Sequence, residues 1–393
     1  MKMQISLACV GLLELACTSA FAQSSVTLYG LIDDGIAYVN HSASRAGVAG
    51  HSVFQMANAN ESRWGLRGFE DLGSGTRALF VLENGFNVNN GAAGSGGRLF
   101  GRQAFVGVDN KLVGQLTLGR QYDFGVDYVG PLASSKQWAG QYGAHVGDPD
   151  NFYNSFRLNN AVKFASRNLG GLVLGGAYAF SNQASSDAGT GFANNRAYTF
   201  GARYANGPVV AAASYLQLDN PATGNTGGTN TNGAVSGDYA NLRNIFYGNV
   251  ARQRVASGGA TYAIGNFTAG LVYSWTGFDY ADRSALHVSN YEVNGRYNIT
   301  PALLIGAAFI YTDGRASGGA SRGTFATGDH PTWQQINLGI DYALSKRTEL
   351  YSVAVYQQAR GDATQAAIFN AGGLSGSGSR QQVAVAAGIR TRF

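Results

Sequence analysis

Arginines alternate with apolar residues along several stretches of this chain. In residues 62–69, Arg63 and Arg67 have one parity, while Trp64 and Leu66 have the other. Residues of equal parity lie on the same face of a β-strand. An arginine is permanently charged and offers five donors in a rigid fork. Several arginines spaced about 7 Å apart on one wall attract anions without caging any single one. The pattern indicates a cationic, wet face backed by an apolar face.

The next such stretch, residues 77–83, places an acid on the same face as an arginine. Arg77 and Glu83 lie on one face of residues 77–83, and Phe80 and Leu82 lie on the other. Charges near the midplane of a lipid bilayer cost about 2–4 kcal/mol in β-barrels. We therefore expect the charged rows to face an aqueous lumen and the apolar rows to face lipid.

Some acids do not fit this pattern. Asp34 has outward parity beside Ile32 and Ile36, which requires a subunit contact, a bulge or the end of a strand. The pair Asp33-Asp34 and the run Asp148-Pro-Asp150 resemble metal ligands only superficially, and we interpret these acids as solvated loop residues.

Catalytic and cofactor chemistry find little support in the sequence. Nucleophilic catalysis requires a base within hydrogen-bond reach of a nucleophile, and no nucleophile motif accompanies any histidine. Glycine-rich residues 91–97 do not have the spacing of a phosphate-binding loop. We expect no enzyme activity and no nucleotide, metal or redox cofactor, and the formal charge of +5 requires no nucleic acid. The histidines fall in loops or at strand ends: His41, His51, His145, His287 and His330.

The first residues are typical of an export signal. Lys2 precedes an apolar stretch over residues 5–16, and Ala20-Phe21-Ala22 matches a small-x-small cleavage site. We predict a signal peptide at residues 1–22 and a single barrel domain at residues 23–393. Both cysteines, Cys9 and Cys17, lie in the signal peptide, so no disulfide is expected in the mature chain.

Composition indicates a membrane barrel. The chain has 56 glycines, 21 tyrosines and 21 phenylalanines but only 13% charged residues. No later segment approaches the roughly 18–20 continuous apolar residues that a membrane helix needs. A closed barrel is the other way to satisfy every backbone polar group in lipid, and its alternating strands keep mean hydropathy near zero.

Sixteen strand-like segments can be marked, and short and long connections alternate between them without a break. Antiparallel strands in a bacterial outer-membrane barrel give this result, with tight turns on one rim and long loops on the other. We predict an all-β, 16-stranded antiparallel transmembrane barrel. The segments lie near residues 25–39, 51–69, 76–88, 98–109, 114–122, 157–167, 171–181, 195–205, 208–218, 249–263, 266–278, 286–298, 302–313, 331–343, 347–359 and 381–393.

The third long connection, residues 123–156, is the most informative of the loops. Loops of this length without a pattern of their own are usually functional or disordered, and aromatic residues argue against disorder because they need a packing partner. We predict that it folds into the bore of the barrel. Its aromatic residues are Phe124, Tyr128, Trp138, Tyr142, Phe152, Tyr153 and Phe156.

Five motifs together resemble the Gram-negative general porins of the β-proteobacterial type, over the whole mature chain. The resemblance implies a trimeric barrel in the outer membrane, in contact with lipid, lipopolysaccharide and the assembly machinery. Each monomer would carry a water-filled channel for small hydrophilic solutes and ions, narrowed by the inward third loop. The motifs are Ser25-Val-Thr-Leu-Tyr-Gly-Leu-Ile-Asp33, Ser62-Arg-Trp-Gly-Leu-Arg-Gly-Phe-Glu-Asp-Leu-Gly-Ser-Gly75, Arg102-Gln-Ala-Phe-Val-Gly107, Leu118-Gly-Arg-Gln-Tyr122 and Gly388-Ile-Arg-Thr-Arg-Phe393.

The resemblance also assigns roles to particular residues. It places Arg63, Arg102 and Arg157 on a basic wall opposite the third loop, with Glu83 as a lumen acid, and it makes Phe393 an assembly signal. The family's Pro-Glu-Phe turn is absent from the loop. Three acids are candidates to replace those of that turn: Asp127, Asp148 and Asp150.

Several alternatives stay open. Arg67, Arg77 and Arg120 either line the pore or pair structurally with Glu70, Asp71 or Glu83. The formal charge of +5 and the absence of the family's acidic turn from the third loop favour a modest anion preference. A surface adhesin or receptor barrel without significant conductance is the competing interpretation, and loops 219–248 and 360–380 are candidates for mobility or gating.

Overall fold

The computed structural model describes residues 25–43, 48–182, 194–221, 233–239, 246, 249–318, 325–369 and 376–393. The expected signal peptide at residues 1–22 lies outside these residues and stays a prediction. None of the helical turns among the described residues is long and apolar enough to cross a membrane.

Antiparallel strands account for most of the described chain and join into one closed sheet. The strands are β1 Ser25–Ser42, β2 His51–Met56, β3 Ser62–Gly73, β4 Thr76–Phe86, β5 Gln103–Asn110, β6 Gly114–Gln121, β7 Leu158–Ser166, β8 Leu172–Ala179, β9 Arg196–Asn206, β10 Val209–Asp219, β11 Val250–Ile264, β12 Phe267–Tyr280, β13 Ser284–Asn298, β14 Leu303–Gly318, β15 Pro331–Ala343, β16 Thr348–Gly361 and β17 Gln381–Arg392.

Strands β2 and β3 occupy one position in the barrel, so the described stretches form a 16-stranded wall. One end of β1 pairs with β3, from Ser25 opposite Phe69 to Leu31 opposite Arg63. The other end pairs with β2 on the same side and with β17 across the closure. The prediction of one continuous strand at residues 51–69 was wrong, because residues 57–61 leave the sheet. The predicted barrel itself is confirmed, and closure removes the open edges that invite aggregation.

Side chains alternate between the two faces of the wall as predicted. Large apolar residues such as Val26 and Leu28, which are 65% and 57% exposed, recur around the outside. The Phe80 ring covers Gly68 on this outer face. A continuous apolar belt of this kind on the surface of a protein requires an apolar surrounding.

The connections are also sorted by rim. One rim carries turns of two to five residues. In the two-residue turns, Gly207 and Gly265 adopt left-handed φ values of 55° and 57°, which hairpins of this length favour. The other rim carries the long loops, with one correction. The predicted long loop at residues 279–285 is only a three-residue turn, since β12 and β13 extend to Tyr280 and Ser284.

A second correction concerns the start of β5. The predicted strand at residues 98–109 begins only at Gln103, because residues 98–102 belong to the preceding loop. That loop includes a helical turn at Gly94–Gly97, in which Ser95 and Gly96 have left-handed φ values.

Candidate pore constriction

Residues 57–61 depart from the wall and point into the lumen; we call them the inner bulge. The Asp33 carboxylate on β1 accepts hydrogen bonds from the backbone N–H groups of Ala59, at 3.1 Å, and Asn60, at 3.0 Å. The Tyr351 hydroxyl on β16 donates to the same carboxylate at 2.7 Å, and Ser62 Oγ donates to the Asp33 carbonyl at 3.0 Å. These side-chain bonds replace ladder bonds that the bulge gives up.

The acids in this region were misinterpreted from the sequence. Asp33 is fully buried rather than solvated, because its carboxylate holds the inner bulge. Asp34 points outward opposite Ile389, at the level where the neighbouring strand is interrupted. Three explanations were offered for the outward parity of Asp34. The structure contains one of them, because the inner bulge lies beside this residue.

The third loop, residues 122–157, crosses the lumen, as predicted. Helical turns at Gly125–Val129, Gly130–Leu132, Ser135–Ala139 and Gln141–Gly143 shape its first half. The Trp138 ring lies against Gly306 and Gly339 of the wall, where any added Cβ would overlap it. On the opposite side, the backbone N–H of Gln141 donates to the Ala59 carbonyl of the inner bulge at 2.8 Å. Five of the loop's aromatic residues are buried: Phe124, Trp138, Tyr142, Phe152 and Phe156.

A buried polar cluster also ties the third loop to the wall. His145 Nδ1 lies 2.5 Å from Asp150 Oδ2, and His145 Nε2 lies 3.0 Å from Glu292 Oε2 on β13. Burial alone would lower the pKa of His145, but the Asp150 carboxylate outweighs it and, together with Glu292, raises the pKa to about 10. The imidazolium therefore stays charged at neutral pH and bridges the loop to the barrel.

The predicted basic wall is assembled around two carboxylates. Arg102 Nε contacts Glu83 Oε1 at 2.6 Å, and Arg102 Nη1 contacts Glu61 of the inner bulge. Arg157 Nη2 lies 3.1 Å from the same Glu61 oxygen. Arg63 lies 4.0 Å from Glu83 and donates to the Glu61 carbonyl at 3.3 Å. The structure thus brings Arg63, Arg102, Arg157 and Glu83 together.

The three arginines and Glu61 border a cavity of about 380 Å³ between the wall and the third loop. Lys136 of the loop faces them across this space, with Nζ 4.6 Å from the centre of the Tyr153 ring. Tyr153 itself donates from its hydroxyl to the Ala59 carbonyl at 2.8 Å. The charged residues that line the cavity are Glu61, Arg63, Arg102, Lys136 and Arg157. We refer to this cavity and its lining as the constriction.

The remaining predicted site residues lie elsewhere. Arg67 is exposed on the same face as Arg63, with its guanidinium 5.2 Å from the centre of the Tyr29 ring. Arg77 pairs with Asp109 at 2.8 Å beside a short turn, away from the constriction. Asp127 contacts Lys163 on β7.

Asp148 and Asp150 do not reach the bore, because both are fully buried within the loop structure. Asp148 accepts hydrogen bonds from the backbone N–H groups of Tyr153, at 2.8 Å, and Ser155, at 3.2 Å. The prediction that Asp148 supplies a constriction acid was therefore wrong, and both acids shape the loop instead of being solvated.

Sequence reasoning missed Glu61, Lys136 and Asp238, the last of which pairs with Arg98 and Arg120. One signal was available for Glu61. It directly follows a run of alanine and asparagine at residues 57–60, and both residue types are poor strand formers. Nothing in the sequence pattern marks Lys136 or Asp238.

The charge of Lys136 is sensitive to pH near neutrality. Enclosure by the barrel lowers the pKa of Lys136, and Arg102 and Arg157 lower it further, against a partial opposing effect from Asp148. The resulting pKa is about 7. Its ammonium still meets lumen water, since the side chain is exposed.

As the pH rises from about 6 to about 8, we therefore expect Lys136 to lose its proton and the lumen to lose anion preference. Reversal potentials measured in a salt gradient across this pH range would report the change. Lys136→Gln should show the weaker anion preference at both the low and the high end of this pH range. The matched control Lys111→Gln, on a turn at the opposite rim, should keep the pH step. A potential in the parent protein that does not change with pH would contradict this assignment.

Comparisons with known proteins agree with this architecture. A family model described as Gram-negative porin matches residues 6–364. An outer membrane porin protein of Bordetella pertussis is 34% identical over 362 residues, covering 86% of this chain and 90% of the relative. Outer membrane porin protein 32 of Delftia acidovorans is 34% identical over 212 residues, covering 51% of this chain and 56% of that protein.

Solved structures share the fold. The anion-selective porin from Comamonas acidovorans superposes with a TM-score of 0.69 at 24% identity, covering 94% of this chain and all of that one. OmpT of Vibrio cholerae superposes with a TM-score of 0.64 at 13% identity, covering 94% of this chain and 98% of that one.

Proposed function

The chain belongs to the Gram-negative porin family, and from that premise we propose how its lumen selects what passes. The protein is an outer-membrane porin, whose barrel lets small hydrophilic solutes and ions diffuse through a water-filled channel. The proposal concerns the constriction, where the charged residues meet.

One observation carries the proposal: among the described residues, four basic side chains converge on a cavity lined by a single carboxylate. Arg63, Arg102, Arg157 and Lys136 face the cavity with Glu61, and Glu83 lies behind Arg102. With Lys136 protonated and both acids counted, two positive charges remain in excess, and one remains when Lys136 is neutral. Fixed positive charge in a narrow, water-filled passage favours anions, so the channel prefers anions to cations.

The preference is modest because the acids compensate part of the charge. Glu61 and Glu83 hold the Arg102 guanidinium against the wall by ion pairs with defined geometry. An anion passing the constriction therefore meets guanidiniums that already have partners, and it exchanges weak contacts with them without becoming trapped. Apolar solutes are disfavoured because they would displace water that these charges orient.

Two further considerations support the proposal. The related fold from Comamonas acidovorans is described as an anion-selective porin. Arg67, on the same face as Arg63, adds a further cation on the approach from the short-turn rim.

We also propose the partners that family membership supports. The protein acts as a homotrimer, with lipid and lipopolysaccharide against its apolar belt, and as a channel without enzymatic activity. Phe393, which exchanges backbone hydrogen bonds with Gly30 at 3.1 and 3.2 Å and is 44% exposed, serves as the signal for the outer-membrane assembly machinery.

Reconstitution into planar bilayers tests the function. We expect conductance to rise in steps grouped in threes, because each trimer inserts three channels. In a salt gradient, the reversal potential should have the sign of chloride preference. Silent insertion would support an adhesin or receptor barrel, and a potential of cation sign would contradict the proposed charge balance.

A further inference from the structure

A second inward segment lies beside the third loop, at residues 233–239 between β10 and β11; we call it the inner segment. Its backbone bonds to two neighbours on the wall. The Asn159 N–H donates to the Ala234 carbonyl at 2.7 Å, and the Ala234 N–H donates to the Asn195 carbonyl at 2.7 Å. Val235 and Tyr239 are buried in the same apolar cluster as Phe156 of the third loop. This part of loop 219–248 is therefore anchored in the lumen.

The inner segment delivers one carboxylate, Asp238, to the back of the basic wall. Asp238 Oδ1 lies 2.8 Å from Arg98 Nη1, and Asp238 Oδ2 lies 2.6 Å from Arg120 Nη2. The backbone N–H of Arg157 donates to Asp238 Oδ2 at 3.0 Å. Asp238 is 6% exposed, so these contacts are shielded from bulk water.

This arrangement connects Asp238 to the constriction. Arg157 lines the constriction with its side chain while its backbone is bound by Asp238. Arg120 lies close enough to Arg157 for the two guanidiniums to repel one another, and it donates from Nε to the Gly101 carbonyl at 2.8 Å. One carboxylate thus compensates part of the charge of two arginines behind the lining cations.

We infer that Asp238 is a selectivity-determining residue that limits the anion preference of the channel by compensating one of the two positive charges of Arg98 and Arg120. The inference rests on the proposed anion preference and deepens it. Asp238 touches no passing ion. It acts through the field of the two arginines, which would otherwise add positive charge one layer behind the constriction, and such fields extend further where water is excluded.

A charge variant tests this role with little change of shape. Asp238→Asn keeps the size of the side chain and removes its charge. We expect the chloride-to-potassium permeability ratio of the full-length trimer in planar bilayers to rise roughly two- to fivefold, less than for a lining charge, because a charge behind the lining acts on the ion at longer range and is screened by salt. Adding Arg120→Gln to Asp238→Asn should return the ratio toward that of the parent protein.

Two further variants separate charge from disturbance. Arg120→Gln alone leaves Asp238 with one arginine fewer and should lower the ratio. Asp219→Asn is the matched control: Asp219 also binds two arginines, Arg196 at 3.0 Å and Arg252 at 3.1 Å, but it has outward parity on β10, opposite to that of the buried Leu218, and its loss should leave the ratio unchanged.

The outcomes are distinguishable. An unchanged or lower ratio in Asp238→Asn overturns the inference, as does a rise that Arg120→Gln does not reverse, since that would indicate displacement of the segment. A parent channel without anion preference would instead refute the proposed function, whatever Asp238→Asn does. A parent with anion preference and an unresponsive Asp238→Asn would refute only the role of Asp238.

Discussion

Replacing Arg102 with serine is expected to lower the chloride-to-potassium permeability ratio roughly 2- to 15-fold. A charge about 10 Å from a passing ion contributes about 0.4–1.7 kcal/mol at effective dielectric constants of about 80 to 20, and about 1.4 kcal/mol corresponds to a tenfold ratio. Arg102 forms ion pairs with the carboxylates of both Glu61 and Glu83. Its removal also leaves these acids less compensated, which attracts cations.

Reversal potentials in a potassium chloride gradient would measure this shift. The matched control is Arg77→Ser, because Arg77 has the same charge but pairs with Asp109 beside a short turn. Its reversal potential should stay close to that of the parent. Equal shifts in Arg102→Ser and Arg77→Ser would mean that the overall charge of the barrel governs selectivity, and the constriction would lose its assigned role.

Replacing Trp138 with alanine is expected to loosen the third loop and widen the channel. Deletion of a buried tryptophan side chain typically costs about 3–5 kcal/mol, and Trp138 is 2% exposed against the bare backbone of Gly306 and Gly339. The His145 cluster still holds the far end of the loop. We therefore expect higher single-channel conductance, more current noise and entry of larger sugars.

Single-channel recording and liposome swelling with sugars of graded size would measure this effect. Gly339→Val should act in the same direction, because a side chain there occupies the space of the Trp138 ring. Trp275→Ala is the control, since Trp275 has outward parity on β12 and packs near His287 at 5.3 Å instead of the loop. Unchanged conductance in both Trp138→Ala and Gly339→Val would show that the packing of Trp138 against Gly306 and Gly339 does not fix the third loop.

Much of the wall could be predicted from local pattern. The parity of Arg63 against Trp64 holds in the barrel because a strand has only two faces and one of them meets lipid. Loop length and aromatic content were sufficient to place residues 123–156 inside. The convergence of Arg63, Arg102 and Arg157 was expected from the family resemblance, and these three residues do lie together around Glu61 and Glu83.

The compensating acids could not be predicted in this way. Glu61 reaches Arg102 only because Asp33 and Tyr351 pull residues 57–61 out of the sheet, and Tyr351 lies 292 positions from Ala59 in sequence. Asp238 meets Arg120 across 118 positions. Contacts of this kind depend on closure of the whole barrel, and strand periodicity carries no information about them. Asp148 failed as a constriction acid for a related reason, because backbone donors within its own loop capture it.

The anchoring of the inner bulge by both ends of the chain has a consequence for biogenesis. Asp33 belongs to the first strand and Tyr351 to the penultimate one. Their side chains can meet only when β17 has paired with β1. A barrel still open at this seam lacks the Tyr351 hydroxyl that donates to the Asp33 carboxylate and accepts from the Ala59 N–H. The inner bulge therefore has its full set of side-chain anchors only in the closed barrel, which couples the shape of the constriction to closure of the wall.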